Sequence, residues 1–248
     1  MEWEKELRKA FEDAMWRIPA RVGIVFSGGL DSSLLAYLIN MHDKDVHLYS
    51  AAVKGSHDSK WVGKAANLLG LPIKTIEPGE DEIVEAISDI KKIDPRADPL
   101  SIVIDLPHYF TSKYSENRIL VSGQGSDELF LGYKKYEKSN TSSQDLDKLI
   151  NVDSERERKI AGRWNRRLIF PYLDEIVVRT AKMVPDDLKL HNGTHKYILR
   201  KMAESIGLTP EIALKPKKSA QYSSGFKSIL EEIAEKNGKR IYEFIRDL

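Results

Sequence analysis

Apolar positions in residues 2–18 recur at steps of three and four: Trp3, Leu7, Ala10, Phe11, Ala14, Met15 and Ile18. That period puts them on one stripe of an amphipathic helix, which Pro19 ends. A different rhythm follows. Short apolar runs, rich in β-branched residues, predict strands at 21–26, 46–53, 72–77 and 118–122. They alternate with helix-period stretches at 30–41, 58–70, 81–92 and 100–115, and a further helix start is predicted at 126–133. Gly70 suits the left-handed position that closes a helix, whereas Pro107 sits inside the 100–115 pattern. Alternation of this kind implies right-handed crossovers, hence a parallel sheet with helices on both faces. The polar segment 138–145 (KSNTSSQD) marks a boundary. Beyond it strand signals fade, and helices are predicted at 146–165, 174–184, 194–206 and 226–246. The expected organisation is a helix over 1–18, an α/β core over 19–144 and a helical region over 145–248.

Composition narrows the classes. The chain of 248 residues contains no cysteine, which excludes a disulfide scaffold, a Cys-ligated metal site and a cysteine nucleophile. Lys and Arg number 39 against 38 Asp and Glu, a balance that argues against broad binding to nucleic acid. Mean hydropathy is −0.42 and no apolar run approaches a membrane span. The charged start MEWEKELRKAFED is unlike a secretory signal, so a cytoplasmic protein is expected.

The candidate chemistry lies first at Val25-Phe26-Ser27-Gly28-Gly29-Leu30-Asp31-Ser32-Ser33, where a strand hands over to a helix. Gly28 and Gly29 permit close approach of a ligand to the backbone. The unpaired amides at the helix start, from Leu30 on, attract an anion, and Ser27, Ser32 and Ser33 add hydroxyl donors. No lysine follows the glycines, so this is not the GxxxxGK[ST] nucleotide loop. Instead Asp31 occupies the first helical turn. A carboxylate beside a polyphosphate repels it unless a cation lies between them, so Asp31 predicts Mg²⁺. A second loop, ILVSGQGSDELFLGYKKY at 119–136, repeats the plan: a strand ends in Ser122-Gly123, and Asp127 and Glu128 follow at a helix start. Capping by Ser126 or Asp127 would explain the acids but not the Gly-x-Gly before them. If the two strands are neighbours, Asp31 and Asp127 can share one metal ion.

SGGLDSS resembles the pyrophosphate loop of the ATP pyrophosphatase (PP-loop) superfamily, whose fold is a Rossmann-like, adenine nucleotide alpha hydrolase-like sheet. SGQGSDE resembles the S-G-E-G-S-D-E motif of the synthetase domain of asparagine synthetases. Phe170–Asp174 (FPYLD) resembles that family's P-[FY]-L-D, residues 195–200 (HKYILR) its K-x-x-L-R helix, and residues 215–225 (KPKKSAQYSSG) its basic loop. The order matches over roughly 22–225. The resemblance implies adenylation of an aspartate-like carboxylate by ATP with release of pyrophosphate, then amidation by ammonia. It implies Mg²⁺ on Asp31 and Asp127. Ser27, Gly29, Ser32 and adjacent amides would hold the pyrophosphate, and Val25, Val53, Ser122 and Gly123 would line the adenosine site. Lys217, with Lys218 as alternate, would stabilise charge on the α-phosphate.

Two departures bear on the second half of that chemistry. Glutamine-using members begin with a cysteine-headed glutaminase domain, whereas this chain has no Cys, so free ammonia or a separate glutaminase chain is expected to serve it. Gln124 stands where the family carries Glu, and an amide cannot act as a general base; Glu128 is the substitute considered. The arginine that precedes P-[FY]-L-D is displaced to Arg166 or Arg167, with Ile169 in its place. The alternatives are a nucleotide-binding sensor or partner subunit that has lost amidation, and another PP-loop enzyme acting on a nucleobase or tRNA. A homo-oligomer stays open.

Overall fold

The structure, a computed structural model, describes residues 2–139, 141–216 and 224–248. The N-terminal stripe forms α1 (Glu2–Trp16), with Leu7, Ala10, Phe11, Ala14 and Met15 buried. Five strands make one sheet: β1 (Arg21–Val25), β2 (Asp45–Ala51), β3 (Ile73–Ile76), β4 (Ile119–Val121) and β5 (Arg167–Ile169). Their spatial order is β3-β2-β1-β4-β5, and every neighbouring pair is parallel. The chain thus winds outward from β1 to β3, then returns to place β4 and β5 on the other side. The direction reverses between β1 and β4, the point at which an open α/β sheet forms a crevice beyond its strand ends.

The crossover helices are α2 (Leu30–Met41), α3 (His57–Leu69), α4 (Glu80–Ile93) and α5 (Pro99–Tyr114). Gly70, at φ 66°, closes α3 as expected. The helix α5 continues through Pro107, and Thr111 Oγ1 donates to the carbonyls of Pro107 and His108 there. Val22 and Ile24 of β1 pack on one side with Leu7, Phe11, Leu34 and Leu35. The other face carries α4 and α5, where Ile83, Ile87, Leu106 and Phe110 pack with Ala51 and Ile76. Among the described residues no helix is long and apolar enough to cross a membrane.

The later chain departs from its pattern in specific ways. The 126–133 helix stops early, as α6 (Ser126–Leu129), because Leu131 turns the backbone at φ 52°. The stretch 146–165 is α7 (Ser142–Lys148), a π turn at Leu149–Asp153 and α8 (Ser154–Arg163). The strand β5 was not visible in the sequence, since three residues are too few to show alternation; it exists because Ile119, Leu120 and Val121 pair with Arg167, Leu168 and Ile169. It is followed by α9 (Glu175–Met183) and α10 (Asp186–Lys189). Residues 194–195 form β7 (Thr194–His195), antiparallel to β6 (Leu190–His191), before α11 (Tyr197–Ser205) and α12 (Pro210–Ala213). The last predicted helix divides into Phe226–Lys236 and Ile241–Asp247, with Gly238 at φ 66° between them.

Candidate active site

Ser27, Gly28 and Gly29 carry the chain from β1 into α2. Gly28 is left-handed at φ 66°, and a Cβ there would lie 2.7 Å from the Trp61 ring. The Trp61 Nε1–H donates to the Gly28 carbonyl at 2.6 Å, which presses the loop against α3. Gly29 is the N-cap of α2 and provides no side-chain cap. The first amides of α2 are therefore left for a ligand. Beside them the hydroxyls of Ser27 and Ser32 lie 3.3 Å apart, and Ser32 Oγ accepts from the Ser27 amide at 3.3 Å. Amides, hydroxyls and a helix N-terminus converge here as an anion site requires.

The second loop leaves β4, the strand beside β1. A Cβ added to Gly123 would lie 3.3 Å from Asp31 Cβ and from the Ser32 amide nitrogen, so the two loops touch. Both open at the same rim of the sheet. Asp31 and Asp127 are brought together, and the Lys196 ammonium stands between them. Its Nζ lies 2.7 Å from both carboxylate oxygens of Asp31, 2.7 Å from Asp127 Oδ1 and 3.1 Å from Ser126 Oγ. Ser126 Oγ also donates to Asp31 Oδ1 at 2.7 Å. Lys196 is 2% exposed. Burial alone would lower its pKa, but Asp127 and Asp31 outweigh that and hold the ammonium above the ordinary lysine value.

Backbone geometry places this lysine. Lys196 is left-handed at φ 56°, immediately after the β6–β7 hairpin and before α11. The buried Arg200 guanidinium donates to the His195 carbonyl at 3.0 Å and to the Ala213 and Lys215 carbonyls at 2.6 and 3.1 Å. One side chain thereby ties the lysine to the start of the basic loop. Lys215 Nζ stands 3.9 Å from the centre of the Trp61 ring. At the far end of that loop the Ser224 carbonyl accepts from the Val53 amide at 2.8 Å.

One cavity collects most of the expected residues. Val25, Ser27, Gly29, Leu30, Asp31 and Ser32 line it from the first loop, and Ser122, Gly123, Gln124 and Asp127 from the second. Four others lie off its wall. Gly28 faces Trp61, Ser33 is buried in α2, Val53 anchors Ser224, and Glu128 is half-buried beyond the lining. Lys217 and Lys218 lie outside the described residues. Among the described residues no group of three or more His, Asp or Glu side chains gathers as a metal site.

The sequence model of the asparagine synthase family matches residues 2–169 and 142–246. The chain belongs to the asparagine synthase family. A Methanocaldococcus jannaschii protein named as an asparagine synthetase of the glutamine-hydrolysing kind is 30% identical over 91% of this chain and 50% of its own length. Asparagine synthetase B of Escherichia coli is 28% identical over 90% of the chain and 45% of its own, and the Gallus gallus asparagine synthetase 27% identical over 91% and 44%. The chain spans about half the length of the curated relatives it matches.

Within this asparagine synthase fold Gln124 has an unforeseen partner. Its Nε2 donates to Glu157 Oε1 at 2.8 Å, behind the cavity wall. Lys196 and Arg200 were within reach of sequence reasoning, since both stand in the HKYILR stretch that resembles K-x-x-L-R. Glu157 was not: in ERERK it reads as one more charge on a solvated helix.

Proposed function

We propose that this member of the asparagine synthase family adenylates a carboxylate with ATP and converts the acyl-adenylate to an amide with ammonia. The observation that carries the reading is the pairing of Asp31 with Asp127 through Lys196, directly beside the open N-terminus of α2. A carboxylate oxygen of the substrate attacks the α-phosphate. The α2 amides and the Ser27 and Ser32 hydroxyls receive the departing pyrophosphate, and Ser122 and Gly123 face the adenosine. Lys217 is assigned to the charge that develops on the α-phosphate. With its N–H bonds directed at Asp31, Asp127 and Ser126, Lys196 has none left for a phosphate. Its part is to fix the two carboxylates. Ammonia then attacks the acyl carbon and AMP leaves. The ammonia is free or comes from a separate glutaminase chain.

The donor chemistry fits magnesium. Mg²⁺ is commonly held by one or two carboxylates together with substrate phosphates. Two carboxylates and one ammonium leave one negative charge over, so Asp31 and Asp127 would hold the ion in company with the nucleotide. Bound there, it would neutralise the pyrophosphate.

Calorimetry with ATP and Mg²⁺ tests the binding: Asp31→Ala is expected to abolish uptake of the metal–nucleotide complex, and undiminished binding would refute the site. Exchange of labelled pyrophosphate into ATP, dependent on aspartate or another acid of a carboxylate panel, tests the adenylation. A second reading, a nucleotide-binding subunit without amidation, rests on Gln124. Nucleotide binding without exchange for any carboxylate would favour it.

A further inference from the structure

The two arginines displaced from their place before P-[FY]-L-D, Arg166 and Arg167, do not line the ATP cavity. Both line a second cavity, of about 540 Å³, beside β5, the edge strand of the sheet. Arg17, just after α1, and Arg158, in α8, line it too. Four guanidinium groups from three parts of the chain thus surround one hollow, whose volume is that of a small-ligand site. Among the described residues none lines both cavities.

Counter-charge is short there. Asp174 is the one carboxylate among the described lining residues. Its two oxygens accept from Arg17 Nη1 at 2.7 and 2.9 Å, and it also accepts from the Ile176 amide. Arg158 donates through Nη1 to Glu155 at 2.6 Å and to Ser154 Oγ at 3.2 Å. Arg166 donates through Nη2 to the Ser115 carbonyl, while its Nε is enclosed and makes no hydrogen bond among the described residues. The Arg167 guanidinium has neither a hydrogen bond nor an ion pair among the described residues. Four cations against two acids leave positive charge in excess, and a hollow lined by one sign of charge concentrates counter-ions.

The wall behind these groups is held in place. The Tyr172 hydroxyl donates to the Asp31 carbonyl at 3.3 Å, and the Phe11 ring meets the Tyr172 ring edge-on at 5.2 Å. Leu173 is pressed against the second loop, where a Cβ on Gly125 would lie 2.5 Å from Leu173 Cδ2. The Phe170 ring supports the Arg158 guanidinium, 5.0 Å from the ring centre. A site formed in advance lowers the ordering cost of binding.

We propose that this hollow is a second anion site, which takes an oligophosphate, either inorganic or the tail of a nucleotide. A guanidinium presents parallel N–H bonds that match phosphate oxygens two at a time. An oligophosphate brings several negative charges within a few ångströms, as four converging arginines require. An acidic peptide fits less well. The Arg167 amide donates to the Arg118 carbonyl, and the Ile169 carbonyl accepts from the Ser122 amide, so both residues face β4. That leaves Leu168 alone on the free edge, too little backbone for strand addition. The inference goes beyond the adenylation reading and does not depend on it.

Calorimetry with inorganic tripolyphosphate, free of divalent metal, tests the site. Wild-type protein and Asp31→Ala should both bind it here. The double variant Arg158→Gln with Arg167→Gln should lose affinity at this site roughly tenfold or more, while keeping whatever the α2 terminus takes. Should the double variant fail to fold, Arg167→Gln alone carries the comparison, since its guanidinium has no partner to lose. Metal-free ATP that binds here more tightly than tripolyphosphate would support a nucleotide tail as the source, and the reverse order an inorganic one. No binding to the wild type, or equal stoichiometry and affinity in wild type and variants, would overturn the proposal. Binding of tetraglutamate but not of tripolyphosphate at these arginines would overturn it in favour of a protein partner.

Discussion

The Lys196 ammonium and the Asp127 carboxylate are 2.7 Å apart, with the lysine wholly enclosed and the acid at the cavity wall. Removing one partner of such a pair leaves the others desolvated and uncompensated. Lys196→Ala is expected to cost about 3 kcal/mol of stability, read as a lower urea midpoint at unchanged slope. Nucleotide affinity should fall with it, because Asp31 and Asp127 would then repel each other. Unaltered stability would mean that the acids find another counter-charge.

Two glycines give a matched comparison. A Cβ on Gly132 would lie 1.9 Å from Asp127 Oδ1 and 2.4 Å from Lys196 Cε, whereas Gly162, in α8, has open space. Gly132→Ala should therefore displace the ion pair and destabilise by roughly 1–3 kcal/mol. Gly162→Ala should stabilise by roughly 0.5–1 kcal/mol through helix propensity alone. Thermal melts and nucleotide titrations of the two variants, side by side, distinguish crowding at the site from a general effect.

The Trp61–Gly28 hydrogen bond offers a third handle. Trp61→Phe keeps the ring beside Lys215 but removes the donor to the loop carbonyl. About 1 kcal/mol of stability should be lost, together with part of the nucleotide affinity. Trp16→Phe, at a position 72% exposed, is the control and should alter neither.

Stability should also depend on pH in a defined direction. Desolvation raises Glu157 to about 8 and Asp105 to about 7, so above the ordinary carboxyl range the folded chain keeps protons that the unfolded chain has shed. Their contribution is greatest at low pH and disappears as pH rises through those values. Burial lowers His108 from 6.5 to about 4, which acts the opposite way, but only below 6.5. Between pH 6.5 and about 8 the unfolding free energy should fall, by on the order of 1 kcal/mol per pH unit. Urea midpoints across that range measure it, and Glu157→Gln should flatten the slope.

Much of the architecture was legible from short stretches. The α2 limits follow directly from the leucine period after Gly29, and Gly70 closes α3 because only a residue tolerant of the left-handed region stops a helix that way. Both acidic loops were recognisable from glycines and acids at strand exits. Misreadings cluster after residue 126, where long-range pairing outweighs local pattern. Leu131 and Lys196 are non-glycine residues in left-handed backbone, and β5 is three residues long.

Period and turn chemistry act within about ten residues, so the chain alone specified the first four strands, the helices that follow them, and that Asp31 and Asp127 each stand in the first helical turn after a strand. Which groups stand beside those acids is another matter. Lys196 reaches Asp31 across 165 positions, and Glu157 reaches Gln124 across 33. No spacing rule links them; packing of α11 and α8 against the sheet does. The cation between the two carboxylates and the buried carboxyl behind Gln124 therefore become visible only in the folded molecule, where desolvation and distance act together.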